Sequence, residues 1–459
     1  MKITYPEEVE IIFKKLNCNG YSRFIVGGCV RDIILGKEPF DWDICTDARP
    51  EDIQRIFKEF YTIPTGIKHG TITVVINDKN FEVTTFRTDK DYIDHRRPRE
   101  VEFTSNIYED LKRRDFTINA LAYNEFDGLV DCFNGLKDLK EKILRTVGNA
   151  DERFNEDALR IIRGVRFSAQ LDFEIDEDTA LAMTSNRALL EDISKERIRE
   201  EFIKILLTDK PSEGIKKLIN LRLMEYIMPE LLDCVGFEQK NPNHNKDVFN
   251  HIMEVLDNTE KDVYLRLAAL LHDIGKPQCF TVDENGKGHF YGHHKKSAEI
   301  AENILTRLKF DNKTIGIVKL LVNEHMSRYE FLREKSIKKF INKIGIDNLD
   351  RLFRLQVADI KGSKPPHDFS KLEHFRDECT RIINQKEPMS VKDLDINGYD
   401  IMNLGINQGK EIGDMLNYLL DIVLENPELN RKELLSEFIK QKKEQINFRQ
   451  KENQNNDSN

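Results

Sequence analysis

The sequence predicts an α+β protein, in which a mixed sheet with helices is followed by an all-helical remainder. Short apolar runs bounded by turn residues, which are typical of strands, fall in the first part of the chain. Between residues 170 and 240, apolar residues recur with the spacing of one helix face. The expected segments are an α/β head over residues 1–150, a helical neck over 151–240, a second helical domain over 241–370, a helical tail over 371–442 and a disordered end over 443–459.

The composition is that of a protein with sizeable apolar cores. Of the 459 residues, 39% are hydrophobic and 33% are charged, and no apolar run is long enough to span a membrane. The N-terminal segment carries acids early and lacks an apolar signal core, and the seven cysteines are scattered without a C-x-x-C pair. We therefore expect a cytoplasmic protein with reduced thiols and no membrane partner.

The charge pattern bears on nucleic-acid binding. A net charge of −10 argues against a protein that coats nucleic acid through bulk positive charge. A local basic groove is nevertheless visible between residues 87 and 166. This pattern favours a short RNA end recognised by its shape over a long RNA threaded across a basic surface.

The chain is organised around the stretch FIVGGCVRDIILGKEPFDWDICT, residues 24–46. A short apolar run predicts a buried strand, Gly27 and Gly28 interrupt it, and a helix that carries Arg31 follows. Glycines let a backbone approach a phosphate closely, and backbone N–H groups and the arginine supply positive partners. We expect this turn to bind the phosphates of a nucleotide.

Two acids, Asp41 and Asp43, lie on a strand predicted over residues 41–44. Because strand side chains alternate, both carboxylates point the same way while Trp42 and Ile44 face the core. Burying two like charges side by side is costly unless a cation accompanies them, and carboxylate oxygens suit Mg²⁺. The pattern therefore predicts a magnesium site, with solvated edge residues as the alternative.

The combination G-G-x-V-R-D followed by D-x-D resembles the signature of polymerase-β-like nucleotidyltransferases. More narrowly, it is similar to the bacterial tRNA nucleotidyltransferase and poly(A) polymerase family, over residues 20 to roughly 430. The resemblance implies a polymerase-β-like head, catalysis by Asp41 and Asp43 with Mg²⁺, CTP and ATP as nucleotides, and the tRNA 3′ end as acceptor.

A polar loop is expected over residues 88–108. In the resembled family, full CCA-adding enzymes carry a D-x-x-x-x-R-R-P-like loop here, and enzymes that add only the two cytidines have it shortened. Asp91, Arg96, Arg97 and Pro98 keep that pattern. The loop therefore favours addition of all three nucleotides.

A second motif, L-K-R-R-D-F-T-I-N-A, follows at residues 111–120 and matches the family's ribose-recognition motif. The resemblance implies that Asp115 accepts a hydrogen bond from a ribose hydroxyl and that Arg114 pairs with phosphate. An Arg–Asp pair that only pins the helix is the alternative.

A third motif lies on a helix predicted over residues 153–167, where Asp157, Arg160, Arg163 and Arg166 recur every three positions. Such a row can simply form salt bridges along the helix. The resemblance implies instead that E-D-x-x-R reads the nucleobase. Cytosine and adenine both present an amino donor beside a ring-nitrogen acceptor, whereas uracil and guanine present the reverse. One Asp–Arg pair can therefore accept C and A without a template.

Histidines and aspartates between residues 244 and 370 form an H…H-D…D pattern around the run L-L-H-D-I-G-K-P. Imidazoles and carboxylates together predict a transition-metal site, and the pattern is similar to HD-domain metal-dependent phosphohydrolases. The expected ligands are His251, His272, Asp273, His293, His325 and Asp359.

The interpretation that covers most of the chain is a template-independent CCA-adding tRNA nucleotidyltransferase, which adds and repairs the 3′-terminal CCA of tRNA from CTP and ATP and releases diphosphate. A poly(A) polymerase, which shares nearly every motif, is one alternative. Another is an HD-type metal phosphohydrolase whose transferase-like half recruits RNA.

Overall fold

The computed structural model describes residues 3–93, 97–240, 246–327, 333–406 and 408–456, with side chains given except at 90–93, 97–100 and 446–456. The chain divides into two compact units. The first comprises Met1–Phe237, Glu260–Arg266 and Glu302–Ile315, and the second comprises Glu238–Thr259, Leu267–Ala301 and Gly316–Asn459. None of the helices in the described part of the chain is long and apolar enough to cross a membrane.

The strands lie mostly in the first unit. A seven-stranded mixed sheet has the order β3-β4-β5-β2-β1-β8-β9, in which the β2–β5 pair is parallel and the other neighbours are antiparallel. The strands are β1 (Arg23–Val26), β2 (Asp43–Thr46), β3 (Tyr61–Ile63), β4 (Thr71–Ile76), β5 (Lys79–Thr85), β6 (Arg87–Ile93), β7 (Arg97–Phe103), β8 (Leu121–Asn124), β9 (Gly128–Asp131), β10 (Ile143–Leu144), β11 (Glu174–Ile175), β12 (Thr281–Val282) and β13 (Gly288–His289).

Helices make up most of the rest, so the α+β prediction is confirmed. Those of the first part of the chain are α1 (Glu7–Cys18), α2 (Gly28–Ile34), α3 (Pro50–Ile56), α4 (Ile107–Lys112), α5 (Gly135–Glu141), α6 (Ala150–Glu156), α7 (Leu159–Leu171), α8 (Glu177–Ser185), α9 (Lys195–Leu206), α10 (Pro211–Asn220) and α11 (Met224–Ile227). They are followed by α12 (Val248–Asp257), α13 (Val263–Leu271), α14 (His293–Arg307), α15 (Asn312–Glu324), α16 (Glu334–Ile344), α17 (Ile346–Gly362), α18 (Ser370–Asn384), α19 (Gly398–Asn403), α20 (Lys410–Glu425) and α21 (Lys432–Asn456).

The centre of the sheet is covered on both faces, since every side chain of β1 is buried. One face packs in a cluster with Phe24, Val26, Cys45 and Phe86. The sheet therefore holds the end of β1, and the glycine turn that follows it, in a fixed place.

Strand β2 begins at Asp43, so the prediction of a strand from residue 41 is wrong at its start. The ladder between β1 and β2 ends with Ile25 opposite Ile44, because the chain then leaves β1 and turns into α2 at Gly27. Asp41 thus precedes the strand, and the alternation argument does not apply to it.

Residues 88–108 are not simply a loop. Strands β6 and β7 pair antiparallel, from Arg87 opposite Phe103 to Ile93 opposite Arg97. Residues 94–96 lie outside the described part of the chain, so the R-R-P pattern predicted there is described only in part. The hairpin follows from its β-branched and aromatic residues, such as Thr88 and Val101, which favour strands.

The helix predicted over residues 153–167 is two helices, α6 and α7. Asp157 between them has an extended backbone, with φ −140° and ψ 102°, and its Oδ1 accepts from the N–H of Leu159 at 3.1 Å. An aspartate that bonds a nearby backbone N–H competes with helical hydrogen bonding. The N-cap of α6 is Asn149, whose side chain accepts from the N–H of Glu152.

The C-terminal segment predicted to be disordered from residue 443 is helical as far as Asn456, as part of α21. Glutamate, glutamine and lysine are good helix formers. The helix is also anchored, because Leu435 and Ile439 are buried and the Lys443 Nζ donates to the carbonyls of Leu404 and Gly405 at 3.1 and 2.9 Å.

Candidate active site and candidate metal centre

The glycine turn after β1 is the point where three parts of the first unit meet. Gly27 has φ 80° and ψ −126°, a backbone that side chains rarely allow. A Cβ on Gly27 would lie 3.0 Å from Nη1 of Arg114 and 4.0 Å from Oδ2 of Asp43. The turn therefore brings the first motif, the second motif and the start of β2 into contact, and only glycine leaves room for it.

Three carboxylates gather beside this turn. Asp43 is half-buried and lies opposite Glu82 in the parallel β2–β5 pair, while Asp41 is exposed. The pKa of Asp43 is raised to about 6, mainly by burial; Arg114 opposes this effect, and the negative charges of Asp41 and Glu82 add to it. Asp41 thus stays close enough to act on Asp43 although it precedes the strand. Hard oxygen donors of this kind suit a divalent cation.

Arg31 lies beside the second glycine of the turn. Its side chain is buried, and its Nη2 is 3.6 Å from the place that a Cβ on Gly28 would take. The Arg31 Nη1 donates to Oδ1 of Asn119 at 2.7 Å, and the Arg31 Nε donates to Oδ1 of Asp32 at 2.8 Å. The guanidinium is therefore held in one orientation at the start of α2.

Sequence reasoning missed the acid that holds the arginine pair of the second motif. Asp110 is fully buried, and its two oxygens lie 2.7 Å from Nη2 of Arg113 and 3.3 Å from Nη2 of Arg114. Burial acts to raise the pKa of Asp110, but Arg113 and Arg114 outweigh it and the pKa is lowered. The separations of three and four residues in D-L-K-R-R were the available signal.

Asp115 is surrounded by donors. Its Oδ2 accepts from Nε and Nη2 of Arg163 at 2.9 and 2.7 Å, and its Oδ1 accepts from the N–H of Phe116 at 2.8 Å and Nδ2 of Asn119 at 3.1 Å. Two carboxylate oxygens have about four lone-pair positions, so these bonds fill them. The geometry is that of the structural alternative, in which an Arg–Asp pair fixes a helix.

The pair predicted to read the base is present, but each member has another partner. The two oxygens of Asp157 accept from the guanidinium of Arg197 at 3.3 and 3.0 Å, and this partner could not be identified from the sequence. The Arg160 guanidinium donates to Glu156 at 2.7 Å and to the carbonyl of Arg113 at 3.0 Å. Oδ2 of Asp157 keeps a lone pair for an amino group of a base.

Of the two remaining arginines on α7, Arg163 pairs with Asp115 and Arg166 with Glu201, whose Oε2 is 3.1 Å from the Arg166 Nε. Burial lowers the pKa of Arg166 to about 10, and Glu201 opposes that effect. The guanidinium of Arg166 also stacks 3.9 Å from the ring centre of Phe167. These two arginines are fixed parts of the neck.

The second unit contains a cluster of histidines and acids, in which Asp273 is central. Its Oδ2 lies 3.3 and 3.2 Å from Nε2 of His251 and His272, and Asp359 Oδ1 lies 3.2 Å from Nε2 of His251. The other oxygen of Asp273, Oδ1, lies 3.3 and 3.8 Å from Nε2 of His293 and His325. Five of the six predicted ligands therefore form two groups that share the carboxylate of Asp273, and the sixth, Asp359, lies beside the first group.

The four imidazole rings of this cluster are all oriented by the same kind of hydrogen bond. In each ring the Nδ1 faces a backbone carbonyl, at 2.7–3.2 Å, so the Nδ1 carries the proton and the Nε2 is left facing the centre. Carbonyl bonds of this kind orient metal-binding histidines. The converging nitrogens and carboxylates need positive charge among them, which either a proton or a metal ion supplies. The pairs are His251 with Gly362, His272 with Ala269, His293 with Phe290 and His325 with Val322.

One buried cation beside the cluster was not predicted. The Lys276 Nζ lies 2.6 Å from Oδ2 of Asp273 and donates to Oε1 of Gln239 at 2.9 Å. Burial acts to raise the pKa of Asp273, but His272 and Lys276 outweigh it, so that the pKa lies well below its usual range. Asp273 is therefore a carboxylate at any physiological pH.

Comparison with known proteins identifies the family. Residues 23–145 match the family described as "Poly A polymerase head domain" and residues 172–234 the one described as "Probable RNA and SrmB- binding site of polymerase A". A CCA-adding enzyme from Ligilactobacillus salivarius is 36% identical over 94% of this chain and 95% of its own length. The chain belongs to the CCA-adding enzyme family. A relative from Streptococcus agalactiae with the same name is 35% identical and covers 96% of this chain and 99% of its own length.

Solved structures of the CCA-adding enzyme family share the fold. The enzyme of Bacillus stearothermophilus in complex with CTP matches with a TM-score of 0.73 and 27% identity, over 97% of this chain and 100% of that one. A Thermotoga maritima enzyme complexed with tRNA matches with a TM-score of 0.56 and 21% identity, which supports the fold alone. Residues 243–355 match the "HD domain" family. CCA-adding enzymes and HD domains both depend on metal ions.

Proposed function

We propose that this protein is a template-independent CCA-adding tRNA nucleotidyltransferase that works in the cytoplasm. It adds and repairs the 3′-terminal CCA of tRNA from CTP and ATP and releases diphosphate. The observation that carries the proposal is the meeting of Gly27, Asp43 and Arg114 at one turn, which places a carboxylate, a close-approach backbone and a cation together. The full-length relatives favour CCA addition over poly(A) addition, because both bear the name CCA-adding enzyme.

Asp41 and Asp43, with Glu82 opposite Asp43, would hold Mg²⁺. When bound, the ion neutralises the triphosphate and makes the attacking hydroxyl a better nucleophile. The 3′-hydroxyl of the tRNA attacks the α-phosphorus of the nucleotide, a new P–O bond forms, and diphosphate leaves.

The positive groups around the turn have separate tasks in this reaction. The N–H group of Gly28 and the guanidinium of Arg31 bind the phosphates, and Arg114 offsets the charge of Asp43. Gly27 contributes the close approach of the backbone, since its own N–H donates to the carbonyl of Leu121 at 3.0 Å. Because Arg31 is held by Asn119 and Asp32, it needs little reorganisation when the nucleotide enters.

The base is selected at the break between α6 and α7. Asp157 accepts from the amino group of cytosine or adenine, and Arg160 donates to the neighbouring acceptor, whereas Arg163 and Arg166 hold α7 in place. Uracil and guanine present a carbonyl where Asp157 needs a donor, so their binding leaves two acceptors facing each other.

The deciding experiment is incubation with tRNA that lacks its CCA end and with single or paired nucleoside triphosphates. CTP alone should extend the tRNA by two residues, and CTP with ATP by three, after which extension should stop. Continued addition from ATP alone would favour a poly(A) polymerase instead.

The HD domain supports a second candidate function, metal-dependent phosphoester hydrolysis. The supporting observation is specific, because four histidines present Nε2 atoms to one carboxylate in a buried cluster. Imidazole and carboxylate ligands suit a transition metal. A phosphoesterase activity toward a cyclic or simple phosphodiester that disappears in His272→Ala, while CCA addition persists, is the result this candidate requires.

A further inference from the structure

Asn119 of the second motif has no role in the function proposed so far, yet its side chain joins the two ends of the nucleotide site. It is buried on a short 3-10 helix, Thr117–Asn119. The Asn119 Oδ1 accepts from Nη1 of Arg31 at 2.7 Å, and the Asn119 Nδ2 donates to Oδ1 of Asp115 at 3.1 Å. The amide is therefore bonded to α2 on one side and to the second motif on the other.

The orientation of this amide is set by its neighbours. A guanidinium can only donate, so the oxygen of Asn119 must face Arg31. Burial acts to raise the pKa of Asp115, but Arg163 outweighs it and the pKa is lowered far below the usual range. Asp115 is therefore an ionised acceptor, and the NH₂ group of Asn119 must face it.

Asp115 extends the connection to the neck. Its other oxygen takes both the Nε and Nη2 bonds of Arg163 on α7. The guanidinium carbons of Arg31 and Arg163 each lie 5.3 Å from the ring centre of Phe167, which is also on α7. A continuous set of charge-assisted bonds thus runs from Arg31 through Asn119 and Asp115 to α7, the helix that carries Arg160 of the base-reading pair.

We infer that Asn119 and Asp115 are positioning residues, which set the phosphate-binding Arg31 at a fixed place relative to the base-reading end of α7. The inference rests on the proposed function, because it takes the roles of Arg31 and α7 from it. It also gives Asp115 a task other than accepting a ribose hydroxyl, in keeping with its four filled acceptor positions. Without the bridge, Arg31 keeps only Asp32 as a partner among the bonds described, and its guanidinium is no longer held in the orientation that binds the phosphates.

The test separates phosphate binding from base binding by using inorganic tripolyphosphate with Mg²⁺ as the probe, beside CTP. Asn119→Leu keeps the side-chain size and removes both bonds. It should weaken tripolyphosphate binding about tenfold, as expected for one misplaced charged donor. It should also raise KM for CTP and ATP by the same factor while the preference for C and A over U persists.

A swapped pair distinguishes bridging from general support of the fold. In the double variant Asp115→Asn with Asn119→Asp, the carboxylate accepts from Arg31, the amide donates to it, and the amide oxygen accepts from Arg163, while the N–H of Phe116 loses its acceptor. This variant should recover tripolyphosphate affinity to within about threefold of the unaltered protein, since one charge-assisted bond is re-formed on each side. Loss of affinity in Asn119→Leu without any recovery in the swap would contradict the bridge.

Asn124→Leu is the matched control, because Asn124 is also a buried amide. It is the last residue of β8, and its Nδ2 donates to the carbonyl of Arg23 and to Asp127. Asn124→Leu should lower Tm by about as much as Asn119→Leu does and leave tripolyphosphate affinity unchanged. An equal loss of tripolyphosphate affinity in both variants would overturn the inference. Should Asn119→Leu fail to fold, Asn119→Ser supplies the same measurement, because serine is too short to reach both partners. An unaltered protein that binds no CTP would instead refute the proposed function.

Discussion

At the scale of single residues, Asp43 is a carboxylate placed where its charged form is disfavoured. Burial raises its pKa to about 6, with Asp41 and Glu82 acting in the same sense. Between pH 4 and 6 the folded protein therefore keeps a proton that the unfolded chain has released, so folding stability falls as pH rises through this range. Above pH 6 the loss of folding stability caused by burying the charged carboxylate stays constant until a cation binds.

Asp43→Asn should consequently stabilise the metal-free protein at pH 8 and not at pH 4. Two pKa units correspond to about 3 kcal/mol, which is the upper limit for the gain. Thermal unfolding in the presence of a chelator, at both pH values, measures it. The same variant should lose CCA addition. An equal rise in Tm at both pH values would show that burial, not charge, is the cause.

Arg197 supplies a second residue-scale prediction, because it holds the carboxylate of Asp157. Arg197→Ala should leave Asp157 free to turn, so that selection against UTP weakens by about tenfold, the value of a charged hydrogen bond. Misincorporation of UTP relative to CTP measures the effect.

Arg199→Ala is the control, since Arg199 is on the same helix but lies near Phe310, 5.7 Å from its ring centre. Unchanged selectivity in Arg197→Ala, or an equal change in both variants, would contradict a role for Arg197 in base reading.

At the scale of elements, helix α7 approaches the head through Gly164. A Cβ on this residue would lie 2.2 Å from Cε of Met183 and 3.0 Å from Cζ of Phe116. Phe116 follows Asp115 directly, so the helix carrying Arg163 packs against the segment that carries its partner. The absence of one side chain thus allows the neck to contact the second motif.

Gly164→Val should lower stability by about 2 kcal/mol, because overpacking forces neighbouring side chains to move. It should also reduce CCA addition, since α7 is displaced from the second motif. Gly413→Ala is the control, because a Cβ at Gly413 in α20 meets nothing within 4 Å; that helix should gain stability. A Gly164→Val protein with unaltered Tm and activity would be evidence against close packing at this point.

Element boundaries also indicate what the sequence could reveal. The G-G turn, the D-x-D acids and the His272-Asp273 pair can be predicted from residue types and spacing, because each of these motifs is local. The pairing of Asp157 with Arg197 and the two bonds from Arg163 to Asp115 join residues 40 and 48 positions apart. The interruption at Asp157 depends on one side-chain bond. Periodicity cannot reveal such contacts, since it describes only one element at a time.

At the scale of the whole molecule, two kinds of chemistry occupy separate compact units. The acids, glycines and arginines of the head belong to the first unit, and the HD ligands all belong to the second. No ligand of either set is contributed by the other unit among the described residues. A substitution that inactivates one site should therefore leave the other site intact.

Asp41→Ala should abolish CCA addition, because one of the two principal metal-binding acids is lost, and should leave the metal content of the HD domain unchanged. His272→Ala should have the opposite effect. Incorporation of labelled CTP and elemental analysis of the purified protein provide the two measurements. His294→Ala is the control for the second, since His294 lies outside both ligand groups. Loss of both properties in either variant would contradict the separation.

The carboxylate of Asp273 faces both groups of histidines in the HD cluster, with one oxygen toward each. Any ion seated on one side draws electron density from the oxygen on the other, and two dications would repel each other across a single shared anion. A calorimetric titration with a transition metal should hence give two unequal steps, the weaker one being the second. Cells short of that metal would hold the half-loaded form.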